Sequence, residues 1–319
     1  MKKKIFCTLG PSTLNKTFLK YADKKVNLLR LNMSHIDIED LQNHIDFVKK
    51  YSKVKICIDT EGAQIRSKVK KEKIFKNGEI LEISKLQKNK FRLYPDTVFN
   101  SLKKNDILDI GFEGLKVQIK NKKKNLCVCK VIKAGKLENN KGIYVTNRKI
   151  KLKYLTSKDH QALDIAKKNH IKYFALSFVN SHEDIIRFNN ILKKQTKIFK
   201  IETKSSIKNL NKIMEFGENF LIDRGDLSKE IGIENIPVVQ RKILEISNKR
   251  KKNVYIATNF LESMINKNAP TRAEVNDIYN ALELGAKGIV LAAETAIGNY
   301  PQECVELLKK IFKIFKKKN

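Results

Sequence analysis

The sequence predicts an α/β chain, a (β/α)8 barrel with a small β-domain inserted after strand three. Three observations predict it. Short apolar runs rich in β-branched residues recur along the 319 residues, helical patterns lie between them, and one interval of more than 100 residues breaks the alternation.

In order, the runs are KIFCTL (Lys4–Leu9), NLLRL (Asn27–Leu31), KICID (Lys55–Asp59), YFALSF (Tyr173–Phe178), KIFKI (Lys197–Ile201), NFLID (Asn219–Asp223), VYIAT (Val254–Thr258) and GIVLA (Gly288–Ala292). Eight parallel strands are the number that closes such a barrel. The helices between them carry marked ends. TRAE, Thr271 to Glu274, has the spacing of a capping box, and Gly285 stands where that helix should stop. Pro237 and Pro301 each fall in a first helical turn, where the missing N–H is tolerated. From Val69 to about Lys153 the pattern alternates instead, as in EILEIS, LKVQIK and NLCVCKVIKAG, with turns at Asn77-Gly78 and Gly111 to Gly114. A loop of that length needs structure of its own. The expected division is a catalytic barrel over 1–68 and 154–319 and a β-rich lid over 69–153.

Composition limits the classes of function. The chain is 41% hydrophobic and has no Gly/Ser-rich or Pro-rich tract, so it reads as globular. Its net charge of +32 raises polyanion binding as one possibility and small anionic substrates as another. No RNA-recognition motif, zinc-finger spacing or basic run with interleaved aromatics accompanies the charge, and Lys, Asn and Ile are abundant together, as A/T-rich codons would produce. Nucleic acid is therefore not the expected partner. The five cysteines are odd in number, and Cys127 and Cys129 lack a second pair or a nearby His to make a zinc site. Reduced thiols are the expectation. MKKKIFCTLGPS starts like a signal peptide, but Gly10 and Pro11 break its apolar part after about five residues. No run approaches the roughly 20 apolar residues of a membrane helix, and a soluble, cytoplasmic protein without a membrane partner is expected.

In barrels of this kind active sites form at the C-terminal ends of the strands. Polar residues concentrate there: RLNMSH after strand two, DTEGAQIR after three, KIE at five, DRGD after six and ATN at seven. Residues two apart on a strand share a face, so Lys200 and Glu202 should project together. Alone, a K-x-E is more often an ordinary ion pair. Asp226, just past strand six, changes the weight, since it could share a divalent cation such as Mg²⁺ with Glu202. A lysine beside such a cation suggests phosphoryl chemistry.

The blocks CTLGPST, RLNMSH, DTEGAQIR, ALSFV, KIE, RGDLS, IATNFLESM, PTRAEVNDI and AAETAIGNYP together resemble the successive signatures of the pyruvate kinase family, in order and at compatible spacing. The resemblance implies transfer of the phosphoryl group of phosphoenolpyruvate to ADP, giving ATP and pyruvate in glycolysis. It implies that Lys200 stabilises the phosphoryl group in transit and that Thr258 helps protonate the enolate. Glu202 and Asp226 would bind Mg²⁺ or Mn²⁺. Arg30, Lys200, Gly225, Asp226 and Thr258 would contact substrate. Asn32, Ser34, Asp59 and Thr60 would hold K⁺, while Asn32, Met33, Ser34, His35, Arg66 and Lys141 would bind the nucleotide. A homo-oligomer assembled through the barrel is expected.

The chain departs from the family pattern in places. Glu61 stands for a lysine, Ala63 for a proline and Gln64 for a glutamate whose charge goes with K⁺ dependence. Asp223, Ser228 and Lys229 replace small or apolar residues around RGD, Asn180 replaces an arginine, and Ala292-Ala293 replace Ser-Gly. The expectation is a minimal form that lacks the C-terminal allosteric domain and its sugar-phosphate activation. A catalytically degenerate barrel and a basic nucleic-acid-binding scaffold are the alternatives.

Overall fold

Eight strands pair in chain order, all parallel, and the last closes on the first through the register Lys4 to Gly288. They are Lys4–Thr8, Leu28–Asn32, Ile56–Asp59, Tyr173–Leu176, Thr196–Ile201, Asn219–Asp223, Asn253–Ala257 and Gly288–Leu291. A computed structural model of the chain describes residues 3–88, 90–111 and 114–318. Met1 and Lys2 of the basic start, and Phe112 and Glu113 of the Gly111 to Gly114 turn, lie outside the described residues.

The strands are apolar on both faces because both faces are covered. One set of alternate residues fills the barrel as a packed cluster: Phe6, Leu28, Cys57, Ala175, Ile198, Leu221, Tyr255, Ala257 and Val290. The other set, including Ile58, Phe199, Ile222 and Ile256, is equally buried. Phe199 meets Phe188 of the helix His182–Ile191 edge to face, with ring centroids 6.3 Å apart. Each such side chain removed from water stabilises the fold by about 1.5–3 kcal/mol.

Helix ends follow the local chemistry. Thr271 caps Arg272–Glu283, and Glu274 returns the bond to the Thr271 N–H. Gly285 ends the segment at φ +106, a conformation that costs residues with a Cβ more. Pro237 lies in the first turn of Ile236–Lys249, and Pro301 opens Pro301–Lys318. Among the described residues no helix is long and apolar enough to cross a membrane.

The chain divides into two compact units, Met1–Gly62 with Ser157–Asn319, and Ala63–Thr156. The second is inserted after the third barrel strand. Its main sheet has seven strands in the order Ile80–Ser84, Leu126–Lys133, Leu115–Lys122, Ile107–Ile110, Gly142–Val145, Ile65–Lys68 and Arg92–Tyr94, each antiparallel to its neighbours. Its own core includes Leu108, Val117, Ile119 and Val131. Cys127 and Cys129 are free thiols in that core, placed on one face by the two-residue period of the strand. Burial pushes the Cys127 thiol up to about 11, so it stays a neutral packing group.

Candidate active site

The barrel interior changes character one layer above its apolar cluster. Moving two residues along a strand keeps the side chain on the same face. Phe6 leads to Thr8, Leu28 to Arg30, Cys57 to Asp59, Ala175 to Ser177, Ile198 to Lys200 and Leu221 to Asp223. All six polar residues are buried, between 0% and 8% exposed. Six strands thus deliver a polar layer to the C-terminal mouth.

Lys200 is its hub. The ammonium lies 3.2 Å from Glu202 Oε2, 3.2 Å from Asp223 Oδ2 and 3.5 Å from Asp59 Oδ2, and it donates to Ser177 Oγ at 3.2 Å. Arg30 donates from Nε to Asp59 Oδ2 at 2.6 Å and from Nη1 to Thr8 Oγ1 at 2.9 Å. The second Asp59 oxygen accepts from Ser177 Oγ at 3.1 Å. Burial by itself would lower the Lys200 pKa. Asp59, Glu202 and Asp223 outweigh it and hold the ammonium charged, well above the ordinary lysine value.

Glu202 shows the opposite balance. Burial, joined by the charges of Asp223 and Asp226, pushes it up to about 8 against the pull of Lys200 and the Phe178 N–H. That N–H donates to Glu202 Oε1 at 2.6 Å, while the wholly buried Oε2 accepts no hydrogen bond. Its charge partner is Lys200 Nζ at 3.2 Å, and its remaining acceptor positions are open to a metal ion. Glu202, Asp223 and Asp226 each offer an oxygen, all within 4.8 Å of one another. Three convergent oxygens of this hardness fit a divalent ion such as Mg²⁺.

The backbone is bent to make this convergence. Phe178, Thr258 and Asn259 leave strands four and seven at φ +54, +79 and +59, conformations that each cost about 1–3 kcal/mol and need support. Phe178 is held through its N–H on Glu202. Thr258 is held from both ends: its hydroxyl donates to Asp223 Oδ1 at 2.7 Å, and its carbonyl accepts from Arg224 Nη2 at 2.6 Å and Nε at 3.0 Å. Arg224 is fixed in turn by Asp277 Oδ2 at 2.6 Å and by the Phe260 ring, 4.0 Å from its guanidinium carbon. The helix Arg224–Ile231 begins against this turn. A Cβ on Gly225 would stand 3.0 Å from Thr258 Cγ2, tighter than side chains ordinarily pack.

Comparison with known proteins bears on what this mouth does. A family model described as pyruvate kinase, barrel domain, matches residues 1–305. The chain belongs to the pyruvate kinase family. It is 33% identical over 323 residues to pyruvate kinase isozyme G, chloroplastic, of Nicotiana tabacum, covering 96% of this chain and 58% of the relative. Against plastidial pyruvate kinase 3, chloroplastic, of Arabidopsis thaliana the identity is 34%, with 96% and 57% covered. The pyruvate kinase of Thermotoga maritima is 34% identical over 333 residues, with 99% of this chain and 71% of that protein covered. The chain thus spans little more than half the length of the plant relatives it matches.

Within the chain the predicted residues fall in two groups. Arg30, Asn32, Met33, Ser34, His35, Asp59, Thr60, Lys200, Glu202, Gly225, Asp226 and Thr258 all belong to the barrel unit. Asn32 and Asp59 are register partners on strands two and three, and Thr60 Oγ1 accepts from the Ser177 N–H at 3.0 Å. Met33 is buried and His35 exposed in the turn that follows strand two. Arg66 and Lys141 belong to the inserted unit, where Arg66 pairs in register with Gly142 and donates to Asn140 O at 3.3 Å. Glu61 binds Lys158, whose ammonium also donates to Met33 O at 2.7 Å. Sequence reasoning left Ser177 out of the site and treated Asp223 only as a departure from the pattern. The two-residue period was the available signal, since Ser177 and Asp223 continue the inward faces of Ala175 and Leu221.

Proposed function

We propose that the chain transfers the phosphoryl group of phosphoenolpyruvate to ADP, giving ATP and pyruvate. The observation that carries this is the buried ammonium of Lys200, ringed by carboxylates at the barrel mouth of a pyruvate kinase family member. In the reaction a β-phosphate oxygen of ADP bonds to phosphorus, the bond from phosphorus to the enol oxygen breaks, and the enolate takes a proton at carbon. Lys200 stays protonated and would place a fixed charge beside the phosphoryl group as it moves. Arg30, pinned by Asp59 and Thr8, would orient the substrate phosphate. Gly225 and Asp226 open the helix after strand six, where backbone N–H groups suit the substrate carboxylate. Thr258 would protonate the enolate through water, its hydroxyl aligned by Asp223.

Glu202 and Asp226 would hold Mg²⁺ or Mn²⁺, which when bound neutralises charge on the substrate oxygens. Asn32, Ser34, Asp59 and Thr60 would take K⁺ through oxygens typical of a hard-ion site. The nucleotide would use Asn32, Met33, Ser34, His35, Arg66 and Lys141. Ile233 and Val238, 78% and 68% exposed on neighbouring turns, support association of copies through the barrel, which light scattering reads directly.

A catalytically weakened barrel is the second reading, and Asp223 favours it by drawing on the charge of Lys200. A coupled assay with phosphoenolpyruvate, ADP and Mg²⁺, with and without K⁺, separates the two. Pyruvate release at rates of roughly 1–10³ s⁻¹ is expected. No pyruvate under either condition would overturn the proposal.

A further inference from the structure

Among the described residues two cations, Arg30 and Lys200, meet three carboxylates at the barrel mouth: Asp59, Glu202 and Asp223. Asp223 supplies the excess. It stands at the end of strand six, in the polar layer continuous with Leu221.

Its two oxygens are engaged, one by the Thr258 hydroxyl and one by Lys200. A carboxylate has about four acceptor positions, so these contacts leave it able to bind a further cation. Beside it, Glu202 Oε2 is fully buried and accepts no hydrogen bond, with Lys200 Nζ at 3.2 Å as its charge partner. Glu202 lies in the same cluster as Asp223 and Asp226, with one carboxylate oxygen of each within 4.8 Å of the others. Sites with one or two protein carboxylates depend on substrate oxygens to complete the shell. A third carboxylate removes part of that dependence.

We propose that Asp223 is a third ligand of the divalent cation and that it lets the site fill before substrate arrives. The inference rests on the reading of Glu202 and Asp226 as the ligand pair. Metal binding then corrects the surplus of carboxylates around Lys200, so the anionic substrate meets a neutralised mouth. The same residue aligns Thr258, which ties metal loading to the position of that hydroxyl.

The test measures Mn²⁺ binding to the full chain without substrate or nucleotide, from the paramagnetic resonance of free Mn²⁺, with thermal melting to confirm folding. Asp223→Ala is expected to weaken Mn²⁺ at least about tenfold. Asp223→Asn keeps an acceptor for Thr258 and the side-chain volume, and it should also bind more weakly than wild type. Wild-type affinity in both variants, or a wild-type chain that takes up no Mn²⁺ alone, overturns the proposal. Glu202→Gln and Asp226→Asn run in parallel. If they weaken Mn²⁺ and the Asp223 variants do not, the third-ligand inference alone falls; if none of the four weakens it, the ligand pair falls too.

Discussion

Lys197, Lys200 and Lys204 share one stretch, KIFKIETK, and differ in company. Lys197 donates to Leu192 O at 2.9 Å, at the far end of strand five. Lys204 is exposed at the start of the next helix. Lys200 is 4% exposed and touches three carboxylates. In the coupled assay Lys200→Ala should lower turnover by a factor on the order of 10²–10³ or more. Lys197→Ala and Lys204→Ala should stay within a few-fold of wild type. Removing the ammonium also leaves buried carboxylates unbalanced, at a cost of about 3–5 kcal/mol, so Lys200→Arg serves as the folded comparison that keeps the charge. Equal losses in all three alanine variants would show that Lys200 has no special role. At this scale the sequence reveals the Lys200 and Glu202 pair, because a period of two is local. It does not reveal that Ser177 and Asp223 join them, since nothing local says which strand ends meet.

At the scale of elements, Glu274 ties the turn after strand seven to the helix beyond it. Its carboxylate accepts from Ser263 N–H at 2.7 Å, Ser263 Oγ at 2.6 Å and Thr271 N–H at 2.7 Å. Partial burial would raise its pKa, but the hydrogen bonds from Ser263 and Thr271 prevail and hold it below the ordinary 4.5. A depressed carboxylate stabilises the fold above its unfolded pKa and loses that contribution as pH falls through the folded value. Glu274→Ala should cost about 1 kcal/mol at neutral pH and lower Tm by roughly 2–4 °C. The difference from wild type should shrink below about pH 4.5, where protonation removes the same bonds. An unchanged melting curve at pH 7 would show the cap to be dispensable. The cap was legible as T-R-A-E. Its second half, the bonds to Ser263, was not, because that residue lies 11 positions upstream and only the turn brings it back.

At the scale of the whole chain, the two units have separate cores. The insert packs Leu108, Val117, Ile119 and Val131 among its own strands. Ile119→Ala should destabilise that unit by about 2–5 kcal/mol. Hydrogen exchange should then quicken within 63–156 and leave amides of the barrel strands protected. Faster exchange throughout the barrel as well would show that the units unfold together. The net charge of the whole chain is +32 at neutral pH. Lysines such as Lys49, Lys249 and Lys252 bind acidic side chains or carbonyls at the surface, where each such contact is worth about 0–1 kcal/mol.

The sequence by itself determined the eight strands, the interruption after the third, the helix caps and the candidacy of Lys200, Glu202 and Asp226. Each of these is written in a local period or a short motif. Only the tertiary structure decided the company of Lys200: a layer of Thr8, Arg30, Asp59, Ser177 and Asp223 from five other strands. Barrel closure is what assembles it, because strands far apart in sequence bring the same inward face to one mouth at a height set by their register. No local pattern encodes that height.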